Sequence, residues 1–405
     1  MMWQIFKLPS KLPSKLSSTL LSIITFRKWL NKAIAISGLW LLSINALQAQ
    51  ETVSQDWQKT LQEAKGKTVY FYAWGGSKPV NDYIRWATRE IAKRYRIRLT
   101  HVKLADISEA VKRLKAENGA KSAIDLLWIN GENFSYLKEQ QLLSGSLLST
   151  IPNSALLATD KLPLERDFGV AMAGYEIPWG VGQFNLITHA NLFNKSTITP
   201  SSLLLAAKNN PGRLTYPKPP EFHGTTLLKQ LLVALSNNDK RLIAPATITA
   251  QAKLLPLLWQ YLDELHPYTW QQGKAFPSSN TEQLQFYKQQ KIDVAVSFNP
   301  NQLIKEQTQK AIAQTDKRVY FSQGAITNSH NLAIPKGSQN QSAAKVVINF
   351  LLSERAQTEK LNGSWGDPSV ITPLLNTHST LPAQQELHSS WQIIIENLWQ
   401  QRYGA

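Results

Sequence analysis

Six short stretches gather side chains able to hold or transform a small molecule. Trp74-Gly75-Gly76-Ser77 joins a stacking ring to two glycines that let backbone approach a guest closely. Asn130-Gly131-Glu132-Asn133 offers one carboxylate between two amides. Trp179 follows a proline, and His223-Gly224-Thr225-Thr226 opens a helical pattern whose first N–H groups could receive an anion or an amide oxygen. Asn299 adds an amide after an apolar run, and Ser364-Trp365-Gly366-Asp367-Pro368 sets a third ring two residues from a carboxylate. Each has a plainer reading: a core ring capping a sheet, a helix cap, hinge packing, an ordinary helix start or a turn. Together they suggest a cleft of Trp rings and carboxylates, suited to a cationic or heteroaromatic metabolite through cation–π attraction and ion pairing.

Catalytic constellations are missing. The seven histidines (101, 189, 223, 266, 330, 378, 388) include no pair on one helix face, so a metal could be held only by residues distant in sequence. Gly180-Val181-Gly182 lacks the third glycine and following helix of a dinucleotide fingerprint, and there is no phosphate loop or Gly-x-Ser-x-Gly elbow. No cofactor is expected. With no cysteine, a disulfide framework, thiolate chemistry and a lipid-modified cysteine are excluded. An enzymatic alternative, an exported enzyme acting on a small metabolite or glycan, requires a facing carboxylate pair such as Glu132 and Asp367.

The elements that must position these residues alternate. Thr68–Trp74 reads as a strand. Val80, Tyr83, Ile84, Ala87 and Ile91 then mark one helix face, with Ser77 as cap and Pro79 in the first turn. A strand over 98–104, a helix over 108–117, a buried strand over 123–129 and a helix over 134–141 complete an α/β unit around a mostly parallel sheet. Residues 145–175 are loop-rich and 176–188 extended. A second βα pattern follows: a helix to Ala207, a short strand over 212–216, a helix faced by Leu227, Leu228, Leu231, Leu232 and Leu235, and a strand over 292–298. Strand-like 324–326 and 331–335, a helix with Ala343, Val346, Val347, Phe350 and Leu351, and a last helix over 391–401 close the chain. In open α/β sheets, guests bind outside the carboxyl ends of the strands, where most of the singled-out residues fall.

The 405 residues carry a net charge of +16, but acids and bases are interspersed beyond the N-terminal region, which argues for a solvated basic surface rather than a nucleic-acid face. Lys7, Lys11, Lys15, Arg27, Lys28 and Lys32 stand in the first 50 positions, which hold no acid. Arg27 to Lys32, the apolar run 33–47 and Ala49 form the pattern of a secretory signal peptide cleaved after Ala49. The run is shorter than the roughly 20 residues of a spanning helix. Residues 1–26 precede an ordinary signal peptide and point to a start chosen too early. An exported, soluble mature protein is expected.

Tyr-Ala-Trp-Gly-Gly-Ser (72–77), Asp-Leu-Leu-Trp-Ile-Asn-Gly-Glu-Asn-Phe (125–134), Pro-Trp-Gly-Val-Gly-Gln-Phe-Asn (178–185) and Ala-Ile-Pro-Lys-Gly-Ser (333–338) carry a resemblance. In this order they resemble the periplasmic solute-binding proteins of ABC importers, in family 1 and its YnjB-type group. The resemblance implies a type II fold: two lobes, each a mostly parallel sheet flanked by helices, joined by hinge strands and closing on a solute. It implies a first crossing at 176–188 and a return at 320–334. The expected division is 1–49 leader and signal peptide, 50–180 plus 324–362 lobe 1, and 181–323 plus 363–405 lobe 2. It further implies delivery to an inner-membrane permease and its ATPase, no catalysis, and a monomer free in the periplasm of a Gram-negative cell. A thiamine-like cation is compatible with the residue inventory.

Overall fold

The computed structural model describes residues 55–375 and 381–404, so the leader and signal peptide expected over 1–49 lie outside the described residues. The chain divides after Lys59; of the first unit only 55–59 are described, and they are helical. The second unit, Thr60–Ala405, is built on two principal sheets.

In the first sheet, β1 (Thr68–Trp74) runs parallel to β2 (Arg98–Leu104) and to β3 (Leu126–Ile129). Val69, Phe71 and Ala73 of β1 are buried while Tyr70 and Trp74 face outward, the alternation of a strand covered on one face. Helix α1 (Lys78–Tyr95) crosses from β1 to β2. It buries Val80, Tyr83, Ile84, Ala87 and Ile91, the stripe its spacing predicts, and stops at Arg96 in the left-handed region. Helix α2 (Ser108–Glu117) crosses to β3, and α3 (Gly131–Glu139) starts directly after it, three residues earlier than the apolar pattern suggested. A small hairpin follows, β4 (Arg166–Asp167) and β5 (Val170–Ala171).

Two wholly buried strands, β6 (Ile177–Gln183) and β7 (Asn185–Thr188), then carry the chain from the first sheet to the second. The second sheet is ordered β8 (Thr197–Ile198), β10 (Lys317–Phe321), β7, β9 (Val294–Ser297). β7 is antiparallel to both its neighbours and only β8 and β10 are parallel, so this sheet is mixed where a mostly parallel one was expected. The reason is topological: β7 continues an outgoing crossing and β10 feeds the returning one, so the two must run in opposite directions. The return, β11 (Ala325–Ala333), is one continuous strand where two pieces were expected. It lies antiparallel to β6 and to β3, with β12 (Ala383–Gln385) parallel on its other flank. β6–β7 and β10–β11 are therefore the hinge strands.

The strand expected over 212–216 is absent: Gly212 belongs to a turn at φ +79° and 213–216 join no ladder. Their carbonyls are used locally, Arg213 O accepting from the Asp293 N–H and Leu214 O from that of Trp270, both at 2.7 Å. Helices α4 (Pro200–Asn209), α5 (Phe222–Leu235), α6 (Ile248–Leu265), α7 (Asn280–Lys288) and α8 (Gln302–Thr308) belong to this half. The buried leucines of α5 share one core with Leu254, Leu258 and Leu262 of α6 and with Trp391 and Trp399. Helices α9 (Gln341–Leu351) and α10 (Glu354–Asn362) return to the first sheet, and α11 (Ser389–Tyr403) supplies the two tryptophans to the second. The division expected at 363 comes too early. Val370 accepts from the Ala158 N–H and donates to Gln357, so 367–371 sit with the first sheet, and the last segment enters the second core only at Leu387.

Candidate functional site

A groove of about 630 Å³ opens between the halves, with Pro79, Leu361 and Gly366 on one bank and Asn301, Ile304 and Lys305 on the other. Two hydrogen bonds span it, from Asn301 Nδ2 to the Gly366 carbonyl at 2.9 Å and from Lys305 Nζ to that of Ser364 at 3.0 Å. Asn299 positions the first, its Oδ1 accepting the Asn301 N–H at 2.9 Å. Asn299, Trp365 and Asp367 are thus brought to one place. Ser77 stands at the N-cap of α1, beside the bank at Pro79, without a side-chain capping bond.

Behind the bank lies an aromatic cluster. Trp179 meets Trp128 at 5.2 Å between centroids, Trp365 at 5.4 Å, Tyr83 at 6.1 Å and Phe71 at 6.2 Å. Trp179 is 0% exposed and ringed by these four aromatic side chains, so it is a packing ring. It is the extra residue of a bulge: β6 and β11 pair Gly180 with His330 but Pro178 with Asn331.

Asp367, also read as a solute contact, is buried and engaged. Lys360 Nζ donates to its Oδ2 at 2.6 Å, and His330 Nε2 lies 2.9 Å from its Oδ1. Burial alone would raise this carboxyl, yet the Lys360 ammonium and His330 hold it below the usual Asp range; burial pushes the Lys360 ammonium down. The same ammonium sits 5.6 Å over the Trp365 ring. The ring and carboxylate that suggested a cationic guest therefore already hold a cation, one of the protein's own lysines. Gly180 is required here, because a Cβ would collide with Asp367, His330 and Lys360 together. Asp367 is also unavailable as half of a catalytic carboxylate pair with Glu132, whose backbone lies in the first turn of α3.

The helix starts are occupied as well. Glu221, at the N-cap of α5, accepts the N–H groups of His223 and Gly224 at 2.7 and 3.0 Å, and its other oxygen lies 2.9 Å from His223 Nδ1. Thr225 is buried and donates to Glu396 at 2.9 Å. The N–H groups expected to await an anion are thus taken by a carboxylate that the sequence reading passed over. Glu221→Ala is expected to lower stability by about 0.5–2 kcal/mol, the usual worth of a cap, measured by urea unfolding at neutral pH.

At α3, Asn130 caps with extended backbone and no side-chain bond, Asn133 is half-buried, and the Gly131 N–H is taken by Asp167. Trp74 is 45% exposed; its ring folds over Gly76, and the Gly75 N–H and carbonyl are bonded to Leu104 and Asn81. Of the singled-out rings, Trp74 alone presents a largely open face. The sequence reading missed Asp167, Glu176, Asn331, Lys360, His330 and Trp128. Trp128 stands inside the 125–134 block; His330 and Asn331 lie on β11, Asp167 on β4, Lys360 on α10 and Glu176 in the loop before β6, with no motif around them. Among the described residues no group of three metal-binding side chains occurs, and no helix is long and apolar enough to cross a membrane.

Residues 86–379 match the model of a family described as bacterial extracellular solute-binding protein. The chain is 38% identical over 383 residues to protein YnjB of Escherichia coli K12, covering 90% of this chain and 98% of that one. A crystal structure of an ABC transporter from Clostridium perfringens superposes with a TM-score of 0.61 at 16% identity, over 83% of this chain and 98% of the other. The spermidine/putrescine ABC transporter substrate-binding protein PotD of Streptococcus pneumoniae gives 0.53 at 15%, over 73% and 80%.

Proposed function

The chain belongs to the bacterial extracellular solute-binding proteins, and from that premise we propose that it is the periplasmic receptor of an ABC importer. It captures a small solute between its two lobes and delivers it to a membrane permease driven by an ATPase. The observation that carries this reading is the pair of crossings, β6–β7 and β10–β11, joining two separately cored sheets across a groove. Two bodies linked by a narrow pair of strands can swing with little change in either core. The signal-peptide pattern of 27–49 supports export with cleavage after Ala49, and the absence of cysteine supports a form without a lipid anchor. A receptor without catalysis is supported by the engagement of Asp367 and the capping role of Glu221.

The solute we favour is a cation. Trp74 remains as a stacking face, and Asn130, Asn133 and Asn299 as amide donors and acceptors near the cleft. Small-angle scattering of the mature chain, with and without cationic, neutral and anionic metabolites, tests the reading. Compaction with one solute and no chemical change in it are expected. A particle rigid across the whole set, or turnover of any member, would overturn the proposal.

A further inference from the structure

Among the described carboxylates, three are nearly or fully buried with no cation in contact: Asp125, Asp167 and Glu176. Asp125 is satisfied, accepting from the Tyr70 N–H at 3.0 Å, the Ser338 hydroxyl at 2.8 Å and the Asn340 amide. The other two are not. Asp167 takes the Gly131 N–H on one oxygen and nothing on the other, and neither oxygen of Glu176 has a hydrogen-bond partner. Asn331, fully buried beside them, turns its amide toward Asp167 closely enough to lower that carboxyl, but neither amide atom makes a well-formed hydrogen bond. The fold draws the three together: Asn331 pairs with Ile129 at the end of β3 and with Pro178 on β6, two residues after Glu176, while Asp167 caps the helix that leaves β3. Acceptors left bare in a dry interior are costly unless something else satisfies them.

Resting on the receptor reading, we propose that Asp167, Glu176 and Asn331 form the recognition pocket for an N–H-bearing cationic group of the solute, an ammonium or amidine. Such a group brings N–H donors to the two carboxyl groups, which it favours in the ionised form, and to the Asn331 carbonyl oxygen, and charge-assisted bonds of this kind are the strong ones. Phe168 closes the pocket, its ring packed over Gly131. The second lobe holds that ring in place: Lys229 Nζ of α5 lies 4.9 Å above it, and the Ser389 N–H donates to the Phe168 carbonyl at 3.2 Å. Parting the lobes withdraws both contacts and frees Phe168, so the pocket is opened by the motion that admits a solute.

The cations around it are committed elsewhere. Lys229 bonds Glu386 and Gln392 at 3.1 Å each, Lys138 donates to the Ala171 carbonyl, and Arg166 to that of Gly169 at 2.8 Å, with His388 against Gly169. Burial pushes the Asp167 carboxyl up to about 8, against the Gly131 N–H and the Asn331 amide and with added repulsion from Glu386. Burial, then Asp167, raises Glu176 well above its ordinary value, and Lys138 opposes this. Both shifts favour the protonated form in the empty protein. A cation that ionises them should release protons to solvent on binding and bind more tightly as pH rises toward 8.

The test uses the mature wild type, D167N and E176Q, titrated calorimetrically with putrescine, benzamidine, citrate and glucose at about pH 6 and about pH 8 in two buffers. At least one of the two cations is expected to bind, with proton release and higher affinity at the higher pH. Either substitution should weaken it about tenfold or more, the loss of a hydrogen bond to a charged group. The empty variants should melt no lower than wild type, since a neutral amide replaces a neutral carboxyl of the same shape. D167N should also remove a fall in stability: a carboxyl raised on folding contributes in full below its unfolded value, and the contribution disappears as pH rises through about 8. Binding of citrate or glucose alone, or a cation bound equally by all three proteins, overturns the pocket and leaves the receptor standing. A carboxyl pair with a purely structural role gives lower melting and unchanged binding, which also overturns it. No binding by any of the four, with no solute released on denaturing protein purified from its exporting host, removes both readings.

Discussion

Trp179→Ala is expected to lower the melting temperature of the empty protein by several degrees, an effect of about 3–5 kcal/mol on stability. The ring is fully buried and contacts Phe71, Tyr83, Trp128 and Trp365, which come from a strand, a helix, another strand and the segment bounding the groove. No element can move into the space without breaking its own hydrogen bonds, so the cavity persists. The indole N–H makes no hydrogen bond, and the Gln357 side chain bonds the backbone carbonyl, so the loss is one of packing. Trp179→Phe should recover part of it. Trp74→Ala is the control: at 45% exposed it should leave the empty protein's melting nearly unchanged while weakening solute binding. Differential scanning calorimetry decides between the roles. An unchanged melting temperature in Trp179→Ala, with lost binding, would return that ring to the solute.

The contrast between these tryptophans marks where sequence reading stops. The periodicities of α1 and β1 fix which side chains turn inward, because a 3.6-residue stripe or an alternating face has one low-energy placement against a core. The hinge strands were legible through Pro178, Gly180 and Gly182, which interrupt any helix, and through the matched blocks. The environment of Trp179 was not legible, since it depends on a bulge whose existence requires knowing that β11 lies alongside. The carboxylates divide the same way. Glu132 and Asp367 were noticed because they stand near strand ends or tryptophans, yet Asp367 is neutralised by a lysine seven positions back on α10. Asp167 and Glu176 lie in or just after the loop-rich stretch 145–175, where composition carries no periodic signal, and only burial reveals them as unusual.

Lys360→Met tests whether that neutralisation matters. Removing the ammonium leaves Asp367 buried with only His330, and breaking a buried pair by deleting one partner typically destabilises by about 3–5 kcal/mol. The sign with pH follows from the direction of the shift. In the wild type the Asp367 carboxyl is held below its unfolded value, so its contribution is present above the ordinary Asp range and is lost as pH falls through the lowered value. Without Lys360, burial dominates, the carboxyl rises and takes up a proton on folding, and the variant regains stability as the medium is acidified. Guanidinium unfolding should therefore show a wide gap between wild type and Lys360→Met at about pH 7 and a narrower one at about pH 4. The double variant Lys360→Met, Asp367→Leu, which replaces the pair by apolar groups, should recover much of the loss; the two single effects will then not add. Equal gaps at both pH values, or simple additivity, would mean that the ammonium does not sustain the carboxylate. His330 belongs to β11, and Lys360 and Asp367 to the segment ending at the groove. The cluster thus ties the returning hinge strand to one bank of the cleft, and weakening it should loosen the hinge as well as the fold.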